Sequence, residues 1–195
     1  LRYIDSNEVI KPQWPIQRVG QILGAKAIIS TDVGQHQMWT AQFYPFSYPR
    51  QWITSGGLGT MGFGLPAAMG VARALKGTDK VSINFTGDGS ILMNIQELMT
   101  CVEYELPVIN IILNNNYLGM VRQWQTMFYD NRLSETDLSA QPNFKMLVEA
   151  FGGLGYRVTT KEEFDIALKD AVEKKRPAMI EVVVARHEEV LPMVP

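Results

Sequence analysis

Two stretches of the sequence combine an apolar run with a polar end. Residues 81–85 are mostly apolar and lead into Gly87-Asp88-Gly89-Ser90, and the apolar residues 108–113 lead into Asn114-Asn115. A stretch with helical character, residues 91–105, separates the two. Strand, helix and strand in this order predict a parallel βαβ unit, which brings both strand ends to the same edge of a sheet. Ligands of such sheets bind outside the carboxyl ends of the strands, so this edge is the predicted functional site.

The residue types at this edge suit a hard cation. Mg²⁺ takes oxygen ligands, usually one or two carboxylates together with substrate phosphates. Asp88 supplies a carboxylate, Asn115 a neutral side-chain oxygen, and the backbone carbonyl of Tyr117 a third oxygen. Gly87 and Gly89 allow phosphate oxygens to approach the backbone, and a helix N-terminus favours an anion. Each motif alone is typical of an ordinary turn. Together, after adjacent strands, they predict a magnesium ion that carries a diphosphate.

Composition narrows the class of protein. The 195 residues are 46% hydrophobic and 19% charged, which is typical of a globular domain with a substantial core. The formal net charge of -2 argues against binding to nucleic acid through its phosphates. No apolar run approaches the roughly 20 residues that cross a bilayer. The single cysteine, Cys101, excludes an internal disulfide and is compatible with a reducing compartment. The first residues include neither an initiator Met nor a signal peptide, so we expect the chain to be cut from a longer one.

The sequence alternates between strand-like and helix-like segments. Predicted strands cover residues 27–31, 52–54, 81–85, 108–113, 155–158 and 178–184. Predicted helices cover residues 13–23, 65–75, 91–105, 118–129 and 144–151, and a last helix follows the capping-box pair Thr160 and Glu163. Residues 32–50 are polar and aromatic with no predicted helix, and residues 130–141 form a predicted polar loop. This order predicts an α/β fold, a three-layer sandwich with a mostly parallel sheet of about six strands. Residues 1–12 are interpreted as a linker and residues 13–195 as one domain.

The two strand-end motifs resemble the thiamine diphosphate-binding motif of thiamine-dependent decarboxylases and synthases. Four further segments are similar to the large catalytic subunit of acetolactate synthase, also called acetohydroxyacid synthase. They are DVGQHQMW at 32–39, SGGLGTMGFGLP at 55–66, GMVRQW at 119–124 and VLPMVP at 190–195. The resemblance extends from about residue 11 to residue 195 and covers the C-terminal third of that family's polypeptide. It implies a thiamine diphosphate-binding fold.

The resemblance also implies a role for each matching residue. Magnesium would be held by Asp88, Asn115 and the carbonyl of Tyr117. The diphosphate would be bound by Gly34, Gln35, His36, Gly87, Gly89, Ser90, Leu118, Gly119 and Met120. The Gly59 carbonyl and the Met61 amide would bind the aminopyrimidine ring, and the Met61 side chain would force the bent conformation of the cofactor. The substrate channel would be lined by Met120, Val121 and Trp124, while Gln35, Met61 and Met120 would support catalysis.

In the intact enzyme the resemblance implies decarboxylation of pyruvate and condensation of the product with a second 2-ketoacid, in branched-chain amino acid biosynthesis. The partners would be these ketoacids and a second subunit, in a homodimer or tetramer formed through the thiamine domains. A regulatory small subunit and the preferred acceptor ketoacid are left open. FAD and the catalytic glutamate would be bound or supplied mainly by other domains of the family's polypeptide, so we expect the chain alone to have negligible synthase activity. No nucleic-acid or membrane partner is expected, and the location would be cytoplasmic, with an organelle as the alternative.

Three other interpretations stay open. The first is another thiamine diphosphate enzyme, such as glyoxylate carboligase or pyruvate oxidase, although residues 120–124 favour the synthase. The second is an NAD(P)-binding domain, because residues 57–62 fit the pattern G-x-G-x-x-G, which is a weak signal when it occurs alone. The third is a non-catalytic module that only associates with partners. Of the two histidines, His36 is assigned to the diphosphate side without a proton-transfer role, and His187 to the surface.

Overall fold

A parallel six-stranded sheet forms the centre of the fold in a computed structural model, which describes residues 1–193. The strands are β1 (Ala27–Thr31), β2 (Trp52–Thr54), β3 (Val81–Gly87), β4 (Val108–Asn114), β5 (Leu154–Val158) and β6 (Ala178–Val183). The helices are α1 (Gln13–Leu23), α2 (Gln35–Phe43), α3 (Gly64–Ala74), α4 (Asp88–Ile91), α5 (Glu97–Glu103), α6 (Gly119–Phe128), α7 (Phe144–Ala150) and α8 (Lys161–Lys174). The strand order is β2-β1-β3-β4-β6-β5, and all five neighbouring pairs are parallel.

Helices cover both faces of this sheet. One apolar cluster contains Ile16 of α1, Trp39 of α2 and Phe164 of α8, packed against one face. A second cluster contains residues of α3, α5 and α7 on the other face, including Leu65 and Phe144. Because both faces are covered, β1 and β4 are buried along their whole length, which explains their mostly apolar sequence. The predicted three-layer α/β fold is therefore confirmed. Within residues 1–193, no helix is both long and apolar enough to span a bilayer.

The two polar strand ends lie side by side at the carboxyl edge of the sheet. β3 continues to Gly87 and β4 to Asn114, slightly further than the apolar runs predicted. In the register of this pair Gly87 is opposite Leu113, so Asp88 and Asn115 both follow directly at the edge. The parallel βαβ arrangement predicted for these strands is thus confirmed.

Helix α2 is the first correction to the sequence prediction. Residues 35–43 are helical, whereas the sequence predicted a turn at 34–36 and no helix after it. The buried side chains of α2 are Gln35, His36, Trp39 and Thr40. Three of these four are polar, so the buried face of the helix leaves no apolar periodicity to recognise.

The second correction concerns residues 91–105, which do not form one helix: α4 ends at Ile91, and α5 covers only Glu97–Glu103. Between α4 and α5 the chain turns, and the Asn94 side chain donates a hydrogen bond to the carbonyl of Gly62 at 2.7 Å. The amides of Glu97 and Leu98 bond to carbonyls three residues earlier, which is the tighter spacing of a 3₁₀ turn. A contact from a distant loop therefore interrupts a segment whose own sequence favours continuous helix.

The two ends of the described chain contribute little regular structure. Residues 1–9 form no helix or strand, and Ile10 pairs in an isolated bridge with Val184 just beyond β6. The division into a linker and a domain at residue 12 stays a prediction. Residues 194 and 195, the end of the VLPMVP segment, lie outside the described residues. The capping box of α8 is confirmed, since Thr160 and Glu163 exchange side-chain-to-backbone hydrogen bonds at 3.2 Å.

The first residue of α3 touches the sheet more closely than any larger residue would allow. The Gly64 amide donates to Asp32 Oδ1 at 2.8 Å, which ties the start of the helix to the end of β1. A Cβ at position 64 would lie 2.7 Å from the Asp32 amide nitrogen and would also collide with Asn84 Oδ1. Asp32 and Asn84 are themselves buried, so neither has free space to move.

Gly64→Ala is expected to lower the free energy of unfolding by about 1–3 kcal/mol, because the added methyl group overpacks this contact. Gly70→Ala, in the same helix, is the matched control. Position 70 is exposed, and a methyl group there would meet no atom within 4 Å, so alanine should raise stability by up to about 1 kcal/mol through its higher helix propensity. Urea unfolding gives the free energy of unfolding of both variants. An equal change from the wild type in the two variants would contradict the close contact at Gly64.

Candidate functional site

Three strand-to-helix connections meet at the carboxyl edge of the sheet. β1 leads into α2, β3 into α4, and β4 leads through residues 115–118 into α6. The first N–H groups of α2 and α6 have no partner within their helices, and they carry a partial positive charge. The edge is therefore suited to an anion.

A cavity of about 80 Å³ lies between these connections. Its lining residues are Val33, Gly34, Gln35, His36, Trp39, Met61, Gly87, Asp88, Gly89, Ser90, Leu113, Asn115, Tyr117, Leu118, Gly119, Met120 and Val121. The structure thus brings together almost all the site residues that the sequence predicted. Two predicted residues, Gly59 and Trp124, do not line this cavity: Gly59 lies in an exposed turn, and Trp124 is 44% exposed and packs edge-to-face against Phe128. Val33, Trp39 and Leu113 line it without having been predicted.

The Asp88 carboxylate is buried in this cavity, with 2% of the residue exposed. The Nε2 amide of Gln141 donates a hydrogen bond to its Oδ2 atom. Burial outweighs this bond and the nearby backbone donors, and raises the pKa of Asp88 to about 6. No Lys, Arg or His within residues 1–193 forms an ion pair with it. A buried carboxylate without a countercharge is a group that a bound cation would neutralise.

Asn115 lines the same cavity from the neighbouring strand end. Its Nδ2 donates to Gln35 Oε1 at 3.1 Å, and its Oδ1 accepts from the Tyr117 amide at 3.1 Å. Gln35 is held in turn, because its Nε2 donates to Gln123 Oε1 at 2.9 Å and to the Glu188 carbonyl at 3.2 Å. These bonds fix the orientation of the Asn115 amide. Gln123 was not predicted as a site residue.

His36 is the other buried titratable group of the cavity. Gly34 and Gly87 flank its ring so closely that a Cβ at either position would come within about 3 Å of it. Burial lowers the pKa of His36 to about 3, although a hydrogen bond with the Asp32 backbone opposes the shift. The imidazole is therefore neutral at physiological pH. Its Nε2 atom has no hydrogen-bond partner within the described part of the chain, which fits a contact with a ligand in this cavity.

The donor set at this edge restricts the kind of metal that would fit. Among residues 1–193, no three His, Cys, Asp or Glu side chains converge on one point. A metal at this edge would depend on one carboxylate, neutral oxygens and oxygens of a bound ligand. Mg²⁺ accepts this mixture, because it usually keeps few protein ligands and binds substrate phosphates.

The geometry agrees with the comparisons to known proteins. Residues 32–182 match the family described as thiamine pyrophosphate enzyme, C-terminal TPP binding domain. The chain belongs to this family, so a thiamine diphosphate-binding domain is the class that the fold and the site define. The matched region includes every strand from β2 to β5 and both polar strand ends.

Comparison with individual proteins shows which enzymes of this family the chain resembles. The acetolactate synthase isozyme 3 large subunit of Escherichia coli (strain K12) is 48% identical over 99% of this chain and 34% of that protein. The chloroplastic acetolactate synthase 1 of Zea mays is 45% identical over 100% of this chain and 31% of that protein. The predicted resemblance to acetolactate synthase large subunits is therefore confirmed. The chain spans about a third of the length of these relatives.

A solved structure supports the fold independently. The crystal structure of benzoylformate decarboxylase from Polynucleobacter necessarius aligns with a TM-score of 0.87 over 98% of this chain and 36% of that chain. The sequence identity is 20%, so this likeness concerns the fold alone.

The buried charge of Asp88 predicts a stability that depends on pH. The unfolded carboxyl group releases its proton near pH 3.8 and the folded one near pH 6, so stability falls as pH rises between these values. Above pH 6 the cost is on the order of 3 kcal/mol in the absence of ligand. Asp88→Asn is therefore expected to unfold at higher urea concentration than the wild type at pH 8, and to lose this advantage at pH 4. Asp137→Asn is the control, because hydrogen bonds from Ser139 lower the pKa of that exposed carboxyl group. It should gain no stability at pH 8.

His36 gives a pH dependence of the opposite sign. The unfolded histidine takes up a proton near pH 6.5, whereas the folded one resists protonation down to about pH 3. Stability is therefore lost as pH falls below 6.5, by about 3 kcal/mol at pH 4.5. His36→Asn should reduce the loss between pH 7 and pH 4.5 in chemical unfolding. His187→Asn changes an exposed histidine and should keep the wild-type difference. An unchanged loss in His36→Asn would contradict the buried neutral imidazole.

Proposed function

We propose that this chain is the thiamine diphosphate- and magnesium-binding part of an acetolactate synthase catalytic subunit. The observation that carries the proposal is the buried Asp88 carboxylate. Within residues 1–193 it has no countercharge, and it shares a cavity with Asn115 and with a His36 ring nitrogen that has no hydrogen-bond partner there. Family membership supports the cofactor, and the relatives' names support the particular enzyme.

The proposed magnesium ligands are Asp88, Asn115 and the Tyr117 carbonyl. All three residues line the cavity, at the end of adjacent strands β3 and β4. The proposed diphosphate contacts are the N–H groups at the start of α2 and α6, together with His36 and Ser90. The cavity is suited to both groups at once, because an anion at the helix N-termini and a cation at Asp88 neutralise each other.

The remaining predicted residues would act on the organic part of the cofactor and on the substrate. When bound, thiamine diphosphate supplies a carbon nucleophile that adds to a 2-ketoacid and accepts the electron pair left by decarboxylation. Met61 borders the cavity, and so do Met120 and Val121 in the first turn of α6. We propose that these apolar side chains exclude water from the reacting centre. The reaction would be decarboxylation of pyruvate and condensation with a second 2-ketoacid, in branched-chain amino acid biosynthesis.

We further propose that a second subunit completes the site. The outer side of α6 carries several exposed apolar side chains next to the cavity: Val121, Trp124, Met127 and Phe128. Exposed apolar groups beside a functional cavity favour coverage by another protein surface. A homodimer or tetramer would supply the catalytic glutamate from another domain, and FAD would be bound mainly outside this chain. We also propose a regulatory small subunit as a partner of the intact enzyme. The proposed location is the cytoplasm.

The alternatives receive less support. An NAD(P) site would use the glycine loop at 57–62, but β2 in front of it is a three-residue edge strand, and Gly59 does not line the cavity. Another thiamine diphosphate enzyme, such as glyoxylate carboligase or pyruvate oxidase, would share the cofactor cavity. The relatives at 45–48% identity favour the synthase over both. A non-catalytic module would not explain the buried, unneutralised Asp88.

Ligand-dependent stabilisation tests the proposal. Thiamine diphosphate with Mg²⁺, each at about 100 times its dissociation constant, should stabilise the chain by about 2.7 kcal/mol, which raises the midpoint of thermal unfolding by roughly 5–10 °C. NAD should cause no shift. Asp88→Asn should abolish the shift, because the ion loses the one carboxylate that residues 1–193 offer it in this cavity. A shift with NAD alone, or an unchanged shift in Asp88→Asn, would contradict the assignment. Formation of acetolactate from pyruvate by the 195-residue chain alone would contradict the proposed division of the active site between subunits.

A further inference from the structure

The side chain of Gln141 connects the candidate metal ligand to the interior of the sheet. Its Nε2 donates to Asp88 Oδ2, and its Oε1 accepts a hydrogen bond from Asn114 Nδ2 at 2.9 Å. Asn114 Nδ2 also donates to Glu181 Oε1 at 2.8 Å. Two amide side chains therefore lie in series between two carboxylates, Asp88 and Glu181.

The direction of every hydrogen bond in this series is fixed. Glu181 Oε1 accepts from Asn114 and Glu181 Oε2 faces Arg157 Nε, so both oxygens face donors and the NH₂ group of Asn114 points to Glu181. The oxygen of the Asn114 side chain supports the same orientation, because Oδ1 accepts a hydrogen bond from the Asn116 amide at 3.0 Å. The second hydrogen of Asn114 Nδ2 is donated to the side-chain oxygen of Gln141. The NH₂ group of Gln141 therefore points to Asp88 and donates to it. Glu181 is itself buried and lies 3.4 Å from Arg157 Nε, which stabilises its charge.

Gln141 is held in this position by the loop to which it belongs. Residues 130–141 return to the edge of the sheet, where the Leu118 amide donates to the Thr136 carbonyl and the Leu138 amide to the Asn116 carbonyl, both at 2.9 Å. The loop is thus hydrogen-bonded to the same segment that carries the candidate ligand Tyr117. Neither the polar composition of this loop nor its sequence separation from Asp88 predicts the contact.

We infer that Gln141 is a positioning residue for the divalent cation. By donating to one carboxylate oxygen of Asp88, it restricts rotation of the carboxylate and leaves the rest of the group for the ion. Partners that hydrogen-bond to metal ligands in this way commonly contribute 10–100-fold to metal affinity. This role rests on the proposed function, because it requires a cation at Asp88. It assigns to Gln141 no contact with the ion or with the substrate.

The two divalent cations Mg²⁺ and Ca²⁺ distinguish positioning from general support of the fold. Mg²⁺ demands nearly ideal octahedral geometry, whereas Ca²⁺ accepts variable geometry and ligand number. Loss of a positioning contact should therefore weaken Mg²⁺ binding more than Ca²⁺ binding. Loss of structural integrity should weaken both equally.

The experiment is a calorimetric titration of Mg²⁺, and separately of Ca²⁺, into the 195-residue chain saturated with thiamine diphosphate. Gln141→Met keeps the length of the side chain and removes both hydrogen bonds. We expect Mg²⁺ to bind at least about 10-fold more weakly to this variant, with a smaller loss for Ca²⁺. Gln141→Ser serves the same purpose if the methionine variant is poorly folded by circular dichroism.

Gln125→Met is the matched control. Gln125 bonds to both the amide and the carbonyl of Ser134, at 3.1 Å and 3.0 Å, and so holds the same loop without touching Asp88. Its replacement should leave the Mg²⁺ affinity within twofold of the wild type. An equal loss in Gln125→Met, an equal loss for both cations in Gln141→Met, or a Gln141→Met affinity within twofold of the wild type or tighter would each overturn the inference. If the wild-type chain binds neither cation, the proposed function fails and the role of Gln141 fails with it.

Discussion

The buried carboxylate of Asp88 is the constraint on which the arrangement of this protein depends. A charged group in a cavity with almost no exposure is costly unless its surroundings supply compensation. The carboxyl edge of a parallel sheet supplies some, because strand ends and helix N-termini present unpaired N–H groups there. These donors lower the pKa of Asp88 but do not overcome burial, which leaves that pKa near 6. The fold thus maintains a group that is unfavourable in the absence of a cation, which supports the proposed role of Asp88 in binding one.

The side chains around this charge are neutral amides rather than ions. Gln35 and Gln123 orient Asn115, and Gln141 orients Asp88, all through side-chain hydrogen bonds. An Arg or Lys at position 141 would neutralise Asp88 directly, and a positive charge beside Asn115 would repel a divalent cation. Amides fix the geometry and leave the negative charge available. The imidazole of His36 is also neutral, because burial lowers its pKa, so it adds no positive charge beside the proposed metal site.

The sequence predicts the elements of this protein whose structure is determined by residues close together in the chain. The bounds of α1, β1 and β2 agree with the prediction because apolar periodicity and proline placement act within a few residues. Helix α2 was missed because its buried face is mostly polar, and the helix predicted at 91–105 is interrupted by a hydrogen bond from Asn94 to Gly62. In the site, the strand-end motifs were recognisable, whereas Gln123 and Gln141 were not. Their partners are distant in sequence, and a glutamine in an amphipathic helix or a polar loop has no feature that distinguishes it from a surface residue.

The size of the cavity bears on how the cofactor would be enclosed. At about 80 Å³ it is well below the 300–1,000 Å³ typical of small-molecule sites, so this chain alone does not enclose the whole cofactor. The surface next to the cavity includes Met61, Met120, the exposed side of α6 and the exposed turn around Gly59, and the rings could be received there. That surface is apolar and open to solvent on this chain, yet the chemistry of a carbon nucleophile requires the exclusion of water. We therefore expect the edge of this sheet to be one wall of the active site, with a second protein surface as the other.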